Sequence, residues 1–520
     1  MKKTTSWVVM LATVLAAALA QADVTVSGVF GDHMVLQRET KVPVWGSAEP
    51  GEKVTVVFRG QTRSTTADAE GGWRVELAPM PASADGAELS VSGKSQVVFK
   101  DVVVGEVWLC SGQSNMAYPV RSVFDADKEE AAATNPLIRH LNVPGRVDPV
   151  PQRTLHSKWE VCTPETVKNF TAVGYFFGRE LHRKLGVPIG LINATSPGSK
   201  IEPFIAPDGL RAVSNAPAII PLVKFVNESD PARPEGRAAY EKAFAAVRTW
   251  LPQAEADLRA GKYPPPRPQF PYEGFRDRFG SEIPCMKAYG MIMPVAPYAL
   301  RGIIWYQGES NGADGYVDKA KALVLGWRSL WGSDLPFYYV QLPGFRPVNW
   351  FGFREAQVKI MEAIPRTGMA VALDASDPWD GHPRNKQDVG WRLAQWALAK
   401  DYGQTNLVYS GPVCKAQQVE TNKIILSFDF VGQGLMAGAK EGLAPPKEDP
   451  AGELDEFVIA GPDKKWVAAR ATIKGNTVVV SSPLVPTPVA VRYAFANCPQ
   501  GRLLYNRDGL PAGSFRTDTW

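Results

Sequence analysis

Five stretches in the middle of the chain, residues 102–109, 188–194, 302–306, 337–341 and 369–373, are apolar with little alternation. A strand with one wet face alternates, whereas a strand covered on both faces does not, so these runs predict a parallel sheet sandwiched between helices. Helices are expected where apolar residues recur at spacings of three and four, over 167–185, 317–331 and 386–400. Upstream the period is two. Runs such as Lys53-Val54-Thr55-Val56-Val57-Phe58 and Gly72-Trp73-Arg74-Val75-Glu76-Leu77, separated by turn residues, predict a small β-sandwich over 23–99. Residues 404–520 repeat that texture, as in Asn476-Thr477-Val478-Val479-Val480. The expected plan is a β domain, an α/β domain over 100–403 and a β-rich C-terminal region. An insertion at about 207–279 interrupts the α/β pattern. It contains a helix expected over 241–260 and the run Pro264-Pro265-Pro266, and is read as part of a lid near the site.

The first residues follow a different logic. Lys2 and Lys3 precede an apolar run from Trp7 to Ala20, then the small-residue exit Ala18-Leu19-Ala20-Gln21-Ala22. That layout predicts a cleaved secretory signal over 1–22, and an uncleaved anchor is disfavoured because the core is shorter than the roughly 20 residues a spanning helix needs. The protein is expected to be secreted or periplasmic, with no other membrane association. A chain of 520 residues exceeds one ordinary domain, and its 45% hydrophobic content suffices for packed cores. Net charge is only +4, and the 15 Trp are not interleaved with basic residues, so nothing points to nucleic acid. The five cysteines lack zinc spacing. Cys414 and Cys498 share the C-terminal region, which leaves a bridge between them open in an exported protein.

Three of the buried strands run into polar loops, and at the carboxyl end of such strands α/β sheets bind their ligands. The first reads Leu109-Cys110-Ser111-Gly112-Gln113-Ser114-Asn115-Met116, with Gly112 free to turn tightly beside Ser114. It is not the Gly-x-Ser-x-Gly elbow, because Met116 replaces the second Gly. A serine nucleophile needs a base, and of the five histidines His382 stands out, in the loop Asp377-Pro378-Trp379-Asp380-Gly381-His382-Pro383 after the last buried strand. His33 and His182 read as surface residues, while His140 and His156 stay open. The third loop, Gln307-Gly308-Glu309-Ser310-Asn311, offers amides for an oxyanion and a carboxylate to orient a histidine. Taken singly, each loop is also explained as a turn rich in hydrogen-bonding residues.

Together these segments resemble the sialate O-acetylesterase family of SGNH (GDSL-like) hydrolases, which has acetylxylan-esterase relatives. The likeness rests on Gly112-Gln113-Ser114-Asn115-Met116, Trp305-Tyr306-Gln307-Gly308-Glu309-Ser310-Asn311 and Asp380-Gly381-His382-Pro383-Arg384-Asn385-Lys386-Gln387. It extends to Leu503-Leu504-Tyr505-Asn506-Arg507-Asp508-Gly509-Leu510-Pro511, so it covers nearly all of the chain after residue 22. The resemblance implies a flavodoxin-like three-layer α/β/α core, no metal or cofactor, and an O-acetylated glycan as substrate. Ser114 matches the nucleophile and His382 the base. The oxyanion donors implied are the N–H of Ser114, the N–H of Gly198 and the side chain of Gln307. Gly198-Ser199-Lys200 departs from the Gly-Gly-Thr usual there. Trp379 occupies the position, three before the histidine, where many SGNH enzymes carry Asp. Asp380, two before the histidine, matches the pattern of this branch and is the favoured acid implied by the resemblance, while Glu309, matching a residue that acetylxylan-esterase relatives can use in that role, is the alternative.

The expected activity is removal of O-acetyl groups from carbohydrates, sialic acids foremost, with acetylxylan or another plant polysaccharide as the alternative. Tyr118, Trp305 and Trp379 are candidate sugar-stacking residues. Two rivals belong to other classes: a lectin-like binding protein with lost activity, and a glycosidase using Glu309 and Asp380 as its carboxylate pair.

Overall fold

A computed structural model describes residues 23–273 and 282–520. The expected signal sequence and residues 274–279 of the expected insertion lie outside the described residues.

One strand organises the molecule. β1 (Gln96–Gly112) alternates exposed and half-buried residues in its first part, and from Val102 onward every residue is buried. Its first part pairs antiparallel with Ser83–Ser92, and Val35–Gln37 runs parallel to it at Val103–Gly105. Its second part lies in a parallel sheet with β2 (Ile138–Asn142), β3 (Ile189–Thr195), β4 (Gly302–Tyr306), β5 (Phe337–Val340) and β6 (Thr367–Ala370). Their order is β2-β3-β1-β4-β5-β6, with Trp159–Val161 antiparallel on the β2 edge. β1 therefore crosses the position between residues 99 and 100 without a break, joining the N-terminal strands and the central sheet in one hydrogen-bonded surface. The N-terminal strands keep the expected alternation: Val54, Val56 and Phe58 point inward from Lys53–Phe58, and Trp73, Val75 and Leu77 from Gly72–Leu77.

Register decides what the sheet presents at its carboxyl end. Gly112 is level with Thr195 of β3 on one side and with Tyr306 of β4 on the other. The chain thus leaves three adjacent strands at one height, and the three following loops meet. Around the sheet, α1 (Ala172–Leu185) packs against α4 (Lys386–Lys400), where Gly390 lets the Val173–Phe177 backbone approach. α2 (Tyr316–Trp331) packs against α3 (Phe351–Ala363). Thr171 caps α1, and Gly186, in the left-handed region, ends it.

The insertion holds three helices, Pro207–Ala212, Ile220–Ser229 and Pro234–Arg259. Each has proline in its first turn, where the missing N–H costs nothing, and this carries the last helix seven residues upstream of the expected start at 241. The C-terminal region is built on an antiparallel sheet of Val413–Glu420, Lys423–Asp429, Thr477–Ser481, Arg470–Lys474 and Glu453–Leu454. Arg354 of α3, fully buried, pins this region to the core by donating to the carbonyls of Ala494 and Ala496 and to Ser514 Oγ. No disulfide joins Cys414 and Cys498: Cys414 sits on Val413–Glu420, Cys498 packs against Gly344, and both thiols are free. Among the described residues no helix is long and apolar enough to cross a membrane.

Candidate active site

At the carboxyl end of β1 the chain must turn without a side chain in the way. Gly112 has φ +133°, and a Cβ there would stand 2.1 Å from the Tyr306 carbonyl oxygen of β4. The turn delivers Ser114 as the first residue of a single helical turn, Ser114–Ala117, so its N–H has no acceptor behind it. His382 arrives in the loop after β6, and its Nε2 lies 2.8 Å from Ser114 Oγ. Residues 268 apart in sequence are thus hydrogen-bonded. The pair is open to solvent, with 46% of the His382 side chain exposed.

The two carboxylates expected to orient the histidine have very different surroundings. Asp380 Oδ1 accepts the His382 backbone N–H at 2.8 Å and stands 3.5 Å from His382 Nδ1, on an exposed turn. Glu309 is turned inward. Its Oε1 accepts from Asn115 Nδ2, and its Oε2 is buried with no hydrogen-bond partner among the described residues. Burial raises the Glu309 carboxyl above the usual carboxylate range, against the opposing pull of Asn115, Lys386 and His382. A glycosidase pair would need both carboxylates to reach a sugar in the crevice, and this placement of Glu309 denies it.

Gly198 lies in the loop after β3, with φ +71° and open space where a Cβ would stand. Its carbonyl accepts from Ser310 Oγ at 3.0 Å, while its N–H donates to no group among the described residues. Ser199, where the sequence departs from the family it resembles, is fully buried, accepts from Lys287 Nζ and donates to Glu282 at 2.9 Å. The hydroxyl and ammonium therefore anchor the glycine loop from behind.

Gln307 does not match its expected part. Its side chain is fully buried, and Nε2 donates to Ser199 O at 3.1 Å, Asn311 Oδ1 at 2.7 Å and Gln113 Oε1 at 3.2 Å. Tyr316 donates to its Oε1 at 2.8 Å. The Ser199 carbonyl can only accept, so the amide is held this way round and has no donor left for an oxyanion. Gln307 instead fastens the glycine loop and the Gln113 side chain to β4.

Other expectations resolve in the same way. His140 is buried, both ring nitrogens without a partner among the described residues, stacked on Phe170 at 4.4 Å, and burial lowers its pKa to about 3. It is a core residue. His33 pairs with Asp101 at the start of the buried part of β1, and His182 contacts the Val187 carbonyl ahead of β3, both at the amino ends of strands whose carboxyl ends carry the site. Trp305 is buried against Phe204 and Trp327 and cannot stack on a sugar. Trp379, 71% exposed, can, with Arg346 5.1 Å from its ring centre. Tyr118 stacks with the His382 ring at 6.4 Å.

Two residues at the site carried no signal of their own in the sequence. Asn115 is fully buried and donates to both Glu309 Oε1 and the Gly381 carbonyl, the latter at 2.9 Å. Its Oδ1 accepts from Lys386 Nζ at 2.5 Å. Lys386 opens α4, is fully buried, and is lowered to about 7 by desolvation, against the nearby charges of Glu309 and Asp380. Their positions beside Ser114 and His382 in the motifs were the only hint. Among the described residues no group of three or more His, Cys, Asp and Glu side chains is gathered to hold a metal ion.

No family model matches the chain. It is 27% identical over 535 residues to a sialate O-acetylesterase from Rattus norvegicus, covering 93% of this chain and 92% of the relative. It is 28% identical over 544 residues to the sialate O-acetylesterase of Homo sapiens, covering 93% and 90%. Among solved structures it resembles a carbohydrate acetylesterase from Xanthomonas citri with a TM-score of 0.77 at 34% identity, over 96% of this chain and all of the other.

Proposed function

The chain belongs to the carbohydrate acetylesterases, and from that membership we propose a two-step acyl transfer with Ser114 as nucleophile and His382 as general base. The single observation that carries this reading is the 2.8 Å contact between Ser114 Oγ and His382 Nε2 at the mouth of the parallel sheet. As Oγ attacks the acetyl carbonyl carbon, His382 Nε2 takes its proton, and Asp380 beside Nδ1 stabilises the imidazolium. The carbonyl oxygen becomes an oxyanion held by the N–H groups of Ser114 and Gly198, neither of which donates to a group among the described residues. Collapse breaks the bond to the sugar oxygen, which leaves with the proton from His382. Water then gives its proton to His382 and attacks the acetyl-enzyme, acetate departs, and Ser114 recovers its proton. A binding protein with lost activity has no use for this intact pair.

The scaffold we infer is a flavodoxin-like three-layer α/β/α core. The strand order β3-β1-β4-β5-β6 supports it, as does the pairing of α1 with α4 and of α2 with α3. O-acetylated sialic acid is the substrate class to test first, supported by similarity to the mammalian sialate O-acetylesterases over 93% of the chain. The N-terminal pattern of residues 1–22 supports export to the periplasm or medium, and the first residue of protein recovered from those fractions tests it.

Acetate release from acetylated sialic acid, acetylxylan and acetylated pectin, with wild type and Ser114→Ala side by side, tests the activity. Ser114→Ala is expected to remain folded and to lose turnover by several orders of magnitude on whichever substrate the wild type deacetylates. Near-normal turnover by that variant removes Ser114 from the mechanism.

A further inference from the structure

We propose that Lys386 is a positioning residue: acting through Asn115, it locks the nucleophile turn and the histidine loop into the geometry that makes the Ser114–His382 contact. The inference rests on the acyl-transfer reading above and names a residue that the mechanism itself does not use.

The position of Lys386 is unfavourable for every ordinary role of a lysine. It is fully buried, and removing an ammonium from water costs several kcal/mol even after relaxation. It is also the first residue of α4, where the positive end of the helix macrodipole repels a cation. A lysine kept there against both terms must be held by specific partners, and it has them. Nζ donates to Asn115 Oδ1 at 2.5 Å and lies over the rings of Tyr118 at 4.9 Å and Tyr306 at 5.3 Å. Glu309 supplies the opposing buried charge through the same amide.

Asn115 is where the loops meet. The Gly381 carbonyl can only accept, so the amide turns Nδ2 toward it and toward Glu309 Oε1 and presents Oδ1 to Lys386 Nζ, one orientation that satisfies all three. Asn115 is the residue after Ser114, and Gly381 the residue before His382. The amide therefore ties the backbone beside the nucleophile to the backbone beside the base, with Lys386 fixing its rotation. A second path runs through Tyr118, whose ring contacts both the Lys386 ammonium and the His382 imidazole. Without Nζ, the Asn115 carbonyl oxygen is buried and unpaired, and the amide is free to turn away from Gly381. The outcome is a looser Ser114–His382 hydrogen bond, and a displacement of about 1 Å at such a contact can cost on the order of 100-fold in rate.

The test compares wild type, Lys386→Met, Asn115→Ala and the double variant on an aryl acetate. Active enzyme is counted by the mass of a fluorophosphonate adduct on Ser114, so misfolded protein does not enter the rate. Wild-type turnover that is lost in Ser114→Ala must be present first; its absence refutes the acyl-transfer reading itself. Given that activity, Lys386→Met is expected to lower kcat per labelled site at least tenfold with KM within twofold. Asn115→Ala is expected to match it, and the double variant to be no worse than the poorer single, because the two residues act in series. A kcat per labelled site within twofold of wild type for Lys386→Met overturns the proposal. Losses that multiply in the double variant overturn it too, as does a Lys386→Met protein that labels fully and differs only in thermal stability. If Lys386→Met yields no folded protein, Asn115→Ala decides: a tenfold fall in kcat supports the amide link, and an unchanged kcat refutes it.

Discussion

Replacing Asp380 by Asn removes one charge and little else. Asp380 Oδ1 accepts the His382 backbone N–H at 2.8 Å, and an amide oxygen can keep that bond, so the turn should persist. What is lost is a carboxylate 3.5 Å from Nδ1. At that distance two unit charges attract by about 1 kcal/mol in water and about 5 kcal/mol at an effective dielectric constant of 20. Both side chains are about half exposed, at 46% for His382 and 55% for Asp380, which places the interaction near the watery limit, at about 1–2 kcal/mol. Stabilisation of the imidazolium in the transition state by that amount is worth about 5- to 30-fold in kcat. This is far below the roughly 10⁴-fold that a buried triad acid commands. The assay is aryl acetate turnover by purified Asp380→Asn and Glu309→Gln at low and high salt. Asp380→Asn should lose 5- to 30-fold, more than Glu309→Gln, and the gap from wild type should narrow as salt screens the exposed pair. A loss near 10⁴-fold would mean that Asp380 closes onto Nδ1 during the reaction and that the open geometry misjudges it. A Glu309→Gln loss larger than that of Asp380→Asn would transfer the role of acid to the buried carboxylate.

Gly112→Ala should lower the melting temperature and abolish most esterase activity, since the new Cβ would meet the Tyr306 carbonyl at 2.1 Å on a backbone at φ +133°; wild-type kinetics would refute the account of the nucleophile turn. His140, lowered to about 3 by burial, stays neutral in the folded chain while the unfolded chain takes up a proton below about pH 6.5. The unfolded state then binds more protons, so its contribution to stability is intact above pH 6.5. That contribution should be lost at about 1.4 kcal/mol per pH unit as pH falls toward 3. Urea melts from pH 7 to 4 should be visibly less pH-dependent in His140→Phe, and identical slopes would refute the assignment. Prolonged chelation should leave turnover unchanged, because the reacting groups are a serine and a histidine in direct contact and no ligand cluster is gathered among the described residues. Activity lost to chelator and restored by a divalent ion would reverse that reading.

Much of this protein is written locally. Unbroken apolar runs mark strands covered on both faces, alternation marks the β domains, and polar loops after buried strands mark the crevice; Ser114, Glu309, Asp380 and His382 stand in loops that this pattern marks, and Gly198 is reached through the family resemblance alone. Each of these signals reflects a chain's immediate neighbours: side-chain period, turn chemistry, and the residue type at a strand's end. Other features depended on which distant residue fills a given space. Gln307 reads as an available donor until Ser199, Asn311, Gln113 and Tyr316 take up its amide. Trp305 reads as a stacking platform until Phe204 and Trp327 cover it. Lys386 only opens the helix expected over 386–400 until the packing of α4 against the nucleophile turn buries it beside Asn115. Hydrogen-bond satisfaction and burial are decided by partners that include residues as far as 271 apart, held by the register that sets Gly112 level with Thr195 and Tyr306. Period and composition thus announce where a polar side chain begins, whereas only the assembled sheet determines whether it ends in solvent, in the crevice or in the core.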